Sequence, residues 1–110
     1  MRTHKIRVTI DITDKEIENI MSGAMQGCAY WADEAYVEGL NLEGYSVVEA
    51  LQNGKRVRIH DSEEDKGHIL TLKKLLNGIS LQTDFDFEDY DMYDCERVIQ
   101  YALFGKQVYA

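Results

Sequence analysis

Arg56, Arg58 and His60 alternate with Val57 and Ile59. On an extended strand, side chains two apart share a face, so these three groups point the same way, roughly 7 Å from one to the next. Two guanidiniums at that spacing can hold two phosphates of a small nucleotide, through forked hydrogen bonds that lysine cannot copy. The pattern equally suits a solvated strand face paired with nearby carboxylates. The sequence leaves both readings open.

Aromatic rings supply a second kind of chemistry. Tyr30 and Trp31 close the first long helical pattern, and Tyr101 with Phe104 closes the last. Such rings stack on nucleobases at about 1–3 kcal/mol per base. Trp31 also fits the apolar stripe of its helix, where it would be core. Tyr30 faces another direction and is the freer ring. Arg97 could add a further cation to a phosphate site, and Asp33 or Asp94 could bind ribose hydroxyls.

A third feature is acidic. Asp84, Asp86, Glu88, Asp89, Asp91 and Asp94 interleave with Phe85, Phe87, Tyr90 and Tyr93. This run could imitate a nucleic-acid strand and be steered to a basic protein groove. A solvated loop is the plainer reading. Calcium fits poorly: counted from Asp84, the sixth position is Asp89, where an EF-hand needs Gly, and the twelfth is Cys95, where it needs Glu. No C-x-x-C or H-x-x-x-H pairs ligands for zinc, and His4, His60 and His68 are scattered. G-x-S-x-G, P-loop and G-x-G-x-x-G motifs are all lacking. The expectation is a protein that is not an enzyme and takes no metal or cofactor.

Composition narrows the class. The 110 residues carry 20 acidic against 12 basic side chains, a net charge of −8. General coating of DNA or RNA needs a net basic face, so direct nucleic-acid binding is excluded. One domain over residues 1–110 is the natural count at this length. No apolar run approaches the roughly 20 residues that span a bilayer, and Met1 to Lys5 lead into no apolar h-region. A cytoplasmic protein away from membranes is expected. Cys28 and Cys95 sit in helical patterns and read as buried thiols, with a bridge between them as the alternative.

The elements that must position these groups follow from periodicity. Residues 4–12 alternate as a strand, with Ile6, Val8, Ile10 and Ile12 on one face. Thr13 and Glu16 form a capping box for a helix reaching Tyr30 or Trp31. Gly23 and Gly27, four apart on it, make a smooth patch for helix–sheet packing or for a second subunit. Ala35 to Glu38 reads as a short strand. Ser46 and Glu49 form another capping box for a short helix that ends near Asn53 and Gly54. Residues 55–61 and 68–70 form a hairpin across a polar turn. Thr71 caps a helix with Leu72, Leu75, Leu76 and Ile79 on its apolar side. The acidic run is irregular, and Asp91 or Asp94 starts a last helix that Gly105 stops. Lys106 to Tyr109 reads as an edge strand. The fold class is α+β: a small mixed or antiparallel sheet packed with two longer helices and one or two short ones.

Several segments resemble small proteins from phages and prophages of Firmicutes. They are the strand into Thr13-Asp14-Lys15-Glu16-Ile17, Gly27-Cys28-Ala29-Tyr30-Trp31, and His60-Asp61-Ser62-Glu63-Glu64-Asp65. Leu70-Thr71-Leu72-Lys73-Lys74-Leu75-Leu76-Asn77-Gly78 and Val98-Ile99-Gln100-Tyr101-Ala102-Leu103-Phe104-Gly105 complete the set. Within that group the chain is most similar to the anti-Thoeris sponge family. The resemblance implies an oligomer that sequesters cyclic ADP-ribose isomers, and in some members cyclic oligonucleotides, without cleaving them. The residues themselves give the expected arrangement: subunits packed through the first helix, with a pocket that combines Tyr30, Trp31 or Phe104 with Arg56, Arg58, His60 and Arg97. The same motifs also suit a small anti-CRISPR protein whose acidic segment, Asp84 to Asp91, binds a basic groove of a CRISPR effector nuclease.

Overall fold

The computed structural model describes residues 11–27, 31–37, 39–42, 44–82 and 85–109. Four helices and four strands run in the order α1 (Asp14–Gly27), β1 (Ala32–Val37), β2 (Leu40–Leu42), α2 (Gly44–Gln52), β3 (Val57–Asp61), β4 (Lys66–Leu70), α3 (Leu72–Leu81), α4 (Met92–Phe104). The sheet order is β2-β1-β3-β4, and every pairing among these strands is antiparallel. The α+β expectation holds, with α1 and α4 as the longer helices. The expected strand at 4–12 falls mostly outside the described residues; Asp11 and Ile12 are in no strand.

Alternation along β3 decides which face is core. Val57, Ile59 and Asp61 are buried, while Arg58 is exposed and His60 half-buried. Val57 and Ile59 pack with Leu70 of β4, Ala35 of β1, Val47, Val48 and Leu51 of α2, and the stripes of α1 and α4. Antiparallel sheets of this kind cover one face and leave the other polar. Burying about a dozen full-size apolar side chains at roughly 1.5–3 kcal/mol each is the main favourable term.

Close helix contacts explain two glycines. A Cβ on Gly23 would lie 2.8 Å from Cys95 Sγ, so α1 meets α4 there. The smooth patch on α1 is therefore filled at Gly23 by α4 of the same chain, not by the sheet or by a second subunit. A Cβ on Gly78 would lie 2.7 Å from the backbone nitrogen of Ala102, where α3 meets α4.

Helix ends follow the capping chemistry in three places. Thr13 Oγ1 accepts from Glu16 N (3.2 Å), and Thr71 Oγ1 from Lys74 N (3.2 Å). Asp91 and Asp94 form the reciprocal box of α4, which ends at Gly105 with φ +74°. Elsewhere the boundaries differ from expectation. α2 begins at Gly44, so Ser46 lies inside its first turn and is no cap. β2 ends only two residues before Gly44, which pulls the helix start forward. The described part of α1 ends at Gly27, residues 28–30 lie outside the described residues, and Trp31 is a turn residue leading into β1 instead of the last rung of a helical stripe. Leu76 is partly exposed instead of packed.

The C-terminal tail is not an edge strand. Gln100, fully buried on α4, takes over the sheet's role. Its Oε1 accepts from Val108 N and Tyr109 N, both at 2.7 Å, and its Nε2 donates to Tyr109 O at 3.1 Å. One side-chain amide thus satisfies the backbone groups that a neighbouring strand would have paired.

Candidate anion-binding cleft on the open sheet face

Register brings residues from three strands to one place. Tyr36 pairs with Arg58, and Arg58 with Ile69; Glu34 pairs with His60, and His60 with Gly67. A bulge between Ala32 and Glu34 sets this phase, with Asp33 as the extra residue of β1. Tyr36, Gly39, Arg56, Arg58, His60, Gly67 and Ile69 line a cleft of about 530 Å³. Gly39 contributes to this lining from the β1–β2 turn, with φ +82°.

The charges in the cleft are unequal. Among the described residues neither Arg56 nor Arg58 has an ion-pair or hydrogen-bond partner, and both are exposed. His60 is engaged: its Nε2 lies 2.9 Å from Asp65 Oδ1 in the β3–β4 turn. Asp65 holds φ +52° to reach it. Positive charge open to a ligand therefore sits at Arg56 and Arg58. Arginine keeps its charge at any working pH and can meet two phosphate oxygens at once.

Trp31, Phe104, Asp94 and Arg97 do not line this cleft. Trp31 is fully buried; its Nε1 donates to Glu96 Oε1 at 2.7 Å, and its ring stacks on Tyr109 at 5.1 Å. Phe104 packs at 5.7 Å from Trp31 and edge-on to His68 at 4.8 Å. Both rings are core-side packing and neither is a stacking platform for a ligand. Asp94 caps α4 and pairs with Arg97, so these two groups neutralise each other on the helix layer. Tyr30 lies outside the described residues. Tyr36, Gly67 and Ile69 escaped the sequence reading. Alternation alone could have turned Tyr36 outward with Glu34, but its place beside Arg58 depends on register.

A second polar cluster lies on the buried side of β3. Asp61 is fully buried. Its Oδ1 accepts from Glu63 N (3.0 Å) and Glu64 N (3.3 Å). Its Oδ2 accepts from Tyr109 OH (2.6 Å) and lies 3.3 Å from His68 Nε2. Burial alone would raise the Asp61 carboxyl; the bonds from Tyr109, His68 and the two amides outweigh it and hold the group below its ordinary value. Burial and the adjoining carboxylate push the Tyr109 phenol upward. This cluster ties the tail to the sheet.

The acidic segment splits by side-chain type. Asp86, Glu88, Asp89 and Asp91 are exposed, while Asp84 lies outside the described residues. Phe85 packs against Phe87 at 5.0 Å and Tyr90 at 4.9 Å, and these rings lie against the core. Tyr90 OH donates to Glu16 Oε2 at 3.3 Å. Only Tyr93, 64% exposed, and Met92 present a large apolar surface beside the carboxylates.

No helix among the described residues is long and apolar enough to cross a membrane. Among the same residues, no group of three His, Cys, Asp or Glu side chains could hold a metal ion. Compared with known protein families, curated proteins and solved structures, the chain finds no match.

Proposed function

We propose that this protein sequesters a small phosphorylated ligand on its open sheet face and does not cleave it. The observation that carries this is a pair of guanidiniums, Arg56 and Arg58, that share one cleft and have no partner among the described residues, on a chain of net charge −8. A volume of about 530 Å³ is in the range of small-molecule sites, roughly 300–1,000 Å³. Tyr36 and Ile69 give the cleft an apolar side for a base or ribose. The ligand class favoured by the resemblance of the sequence is a cyclic nucleotide signal of host defence, such as a cyclic ADP-ribose isomer. The protein would act by holding that signal away from its receptor, with slow release setting potency.

Isothermal titration with cyclic ADP-ribose isomers and with cyclic di- and trinucleotides tests this. Binding by one of them, abolished in Arg56→Ala/Arg58→Ala, supports it. Absence of heat with all of them removes it. The exposed Asp86, Glu88 and Asp89 beside Met92 and Tyr93 favour one rival: an acidic surface for a basic protein such as a CRISPR effector nuclease. Neutralising those three carboxylates would abolish that activity and spare nucleotide binding.

A further inference from the structure

Arg58 does not stand straight off its strand. An ideal Cβ built on Gly67 would lie 2.5 Å from Arg58 Nε and 2.8 Å from both its Cγ and Cδ. The arginine stem therefore lies across β4, in the space a side chain at 67 would fill. Gly67 has no positive φ, so its backbone does not require glycine. Nor does the fold need it for close packing of elements, since the three nearest atoms all belong to one long surface side chain. That differs from Gly78, where the neighbours are backbone and Cβ of another helix. Glycine in a strand interior is also unfavourable, having no side chain to pack. What remains is its effect on Arg58.

We infer that Gly67 is the positioning residue of the cleft: its bare backbone lets Arg58 lie flat across β4 and so aims the guanidinium that would receive an anionic group. This rests on the anion-binding reading above and adds to it the residue that sets the geometry. A methyl group at 67 would lift the arginine stem off the sheet. The side chain is flexible and solvent-facing, so the fold would tolerate this while the orientation of the forked donor would not. Loss of one charge-assisted pair of hydrogen bonds corresponds to about tenfold or more in affinity.

The test uses Gly67→Ala, Arg58→Ala and the double variant, titrated with inorganic pyrophosphate and with ADP-ribose as probes. The expected result is a loss of at least tenfold in each single variant, with the double variant no weaker than Arg58→Ala. Thermal unfolding of Gly67→Ala should match or slightly exceed wild type, as expected for glycine replaced at an unstrained position. Wild-type affinity in Gly67→Ala, or losses that add in the double variant, would overturn the inference. Nuclear Overhauser contacts between the Arg58 Cγ and Cδ protons and the Gly67 α-protons provide a readout that needs no ligand. If wild type binds neither probe, these contacts alone decide the positioning claim, while the cyclic-nucleotide titration decides the functional reading. Contacts present in wild type, with the Arg58 resonances displaced in Gly67→Ala, uphold it; contacts absent in wild type overturn it.

Discussion

Asp61 is the most heavily used carboxylate in the described structure, and removing it should cost more than any surface charge. Asp61→Ala deletes the acceptor for Tyr109 OH, His68 Nε2 and the amides of Glu63 and Glu64. The two amides belong to an exposed turn and can turn to water, so their loss is worth about 1 kcal/mol together. The Tyr109 hydroxyl and His68 lose charge-assisted bonds of about 1.5–3 kcal/mol each, and the tail loses one of its anchors. We expect a total of about 4–7 kcal/mol, a large part of the 5–15 kcal/mol typical of a domain. Asp61→Asn keeps the acceptor for both amides. Its NH₂ can face a His68 tautomer that accepts and a rotated Tyr109 hydroxyl, so about 1–2 kcal/mol should be lost. Because the folded carboxyl titrates below its ordinary value of 3.8, its contribution is complete above about pH 5. That contribution disappears as pH falls through the folded value. The assay is urea unfolding followed by far-ultraviolet circular dichroism, for wild type and both variants, between pH 7 and pH 3. The gap between wild type and Asp61→Asn should be constant down to about pH 5 and narrow below about pH 4. An Asp61→Ala variant within 1 kcal/mol of wild type, or a gap that widens in acid, refutes the reasoning.

Two further outcomes follow from packing. Gly78→Ala should lose about 1–3 kcal/mol by denaturant unfolding, because its Cβ would meet Ala102 N, Cα and Cβ at 2.7–2.8 Å and backbone cannot swing away. Cys95 should react with a disulfide reagent at pH 8 only as fast as the protein unfolds. Burial, then Asp94 and Asp91, push its thiol up to about 12, so the native protein presents almost no thiolate there.

Local patterns in the sequence translated well where a single element decided the outcome. The alternation of Arg56 to Asp61 is a strand because β-branched Val57 and Ile59 demand one buried face, and that face also turned the arginines outward together. Thr71 and Asp91 cap helices because a side-chain oxygen there satisfies amides that nothing else reaches. What failed needed a specific partner, near or far in sequence, that periodicity does not name. Trp31 fits a helical stripe by spacing, yet it is buried beside Glu96, 65 residues away, whose Oε1 accepts its indole N–H. Arg97 looks like a free cation until Asp94, one turn before it on α4, takes it. Lys106 to Tyr109 has strand composition, but Gln100 supplies the pairing that a strand would have supplied. Tyr36 and Gly67 enter the cleft only through the register of β1 and β4 on β3, which no local pattern contains.

Arg56 and Arg58 share the lack of an ion pair among the described residues with Lys73, Lys74 and Lys106, and differ from them in standing two apart on one strand face. Arg97 pairs with Asp94, Lys66 with Glu64 at 3.0 Å and Lys15 with Glu18 at 3.6 Å. With 20 carboxylates on the chain, such pairing is easily found. Arg56 and Arg58 have none among the described residues, although they sit two apart on the same strand face. Their mutual repulsion is left for something else to relieve, and an anion bridging them does so. The net charge of −8 opposes its approach, but beyond a Debye length of about 8 Å at physiological salt that field is largely screened. Salt then has two opposed effects on a small anion: it weakens contact with the guanidiniums and also weakens repulsion by the rest of the molecule. Affinity for a cyclic nucleotide should change by less than about tenfold between 20 and 150 mM salt. An acidic surface docking in a basic groove has no such compensation, and its affinity should fall far more steeply over the same range. A steep fall in nucleotide affinity with salt would mean that the whole surface field, and not the Arg56–Arg58 cleft, does the binding.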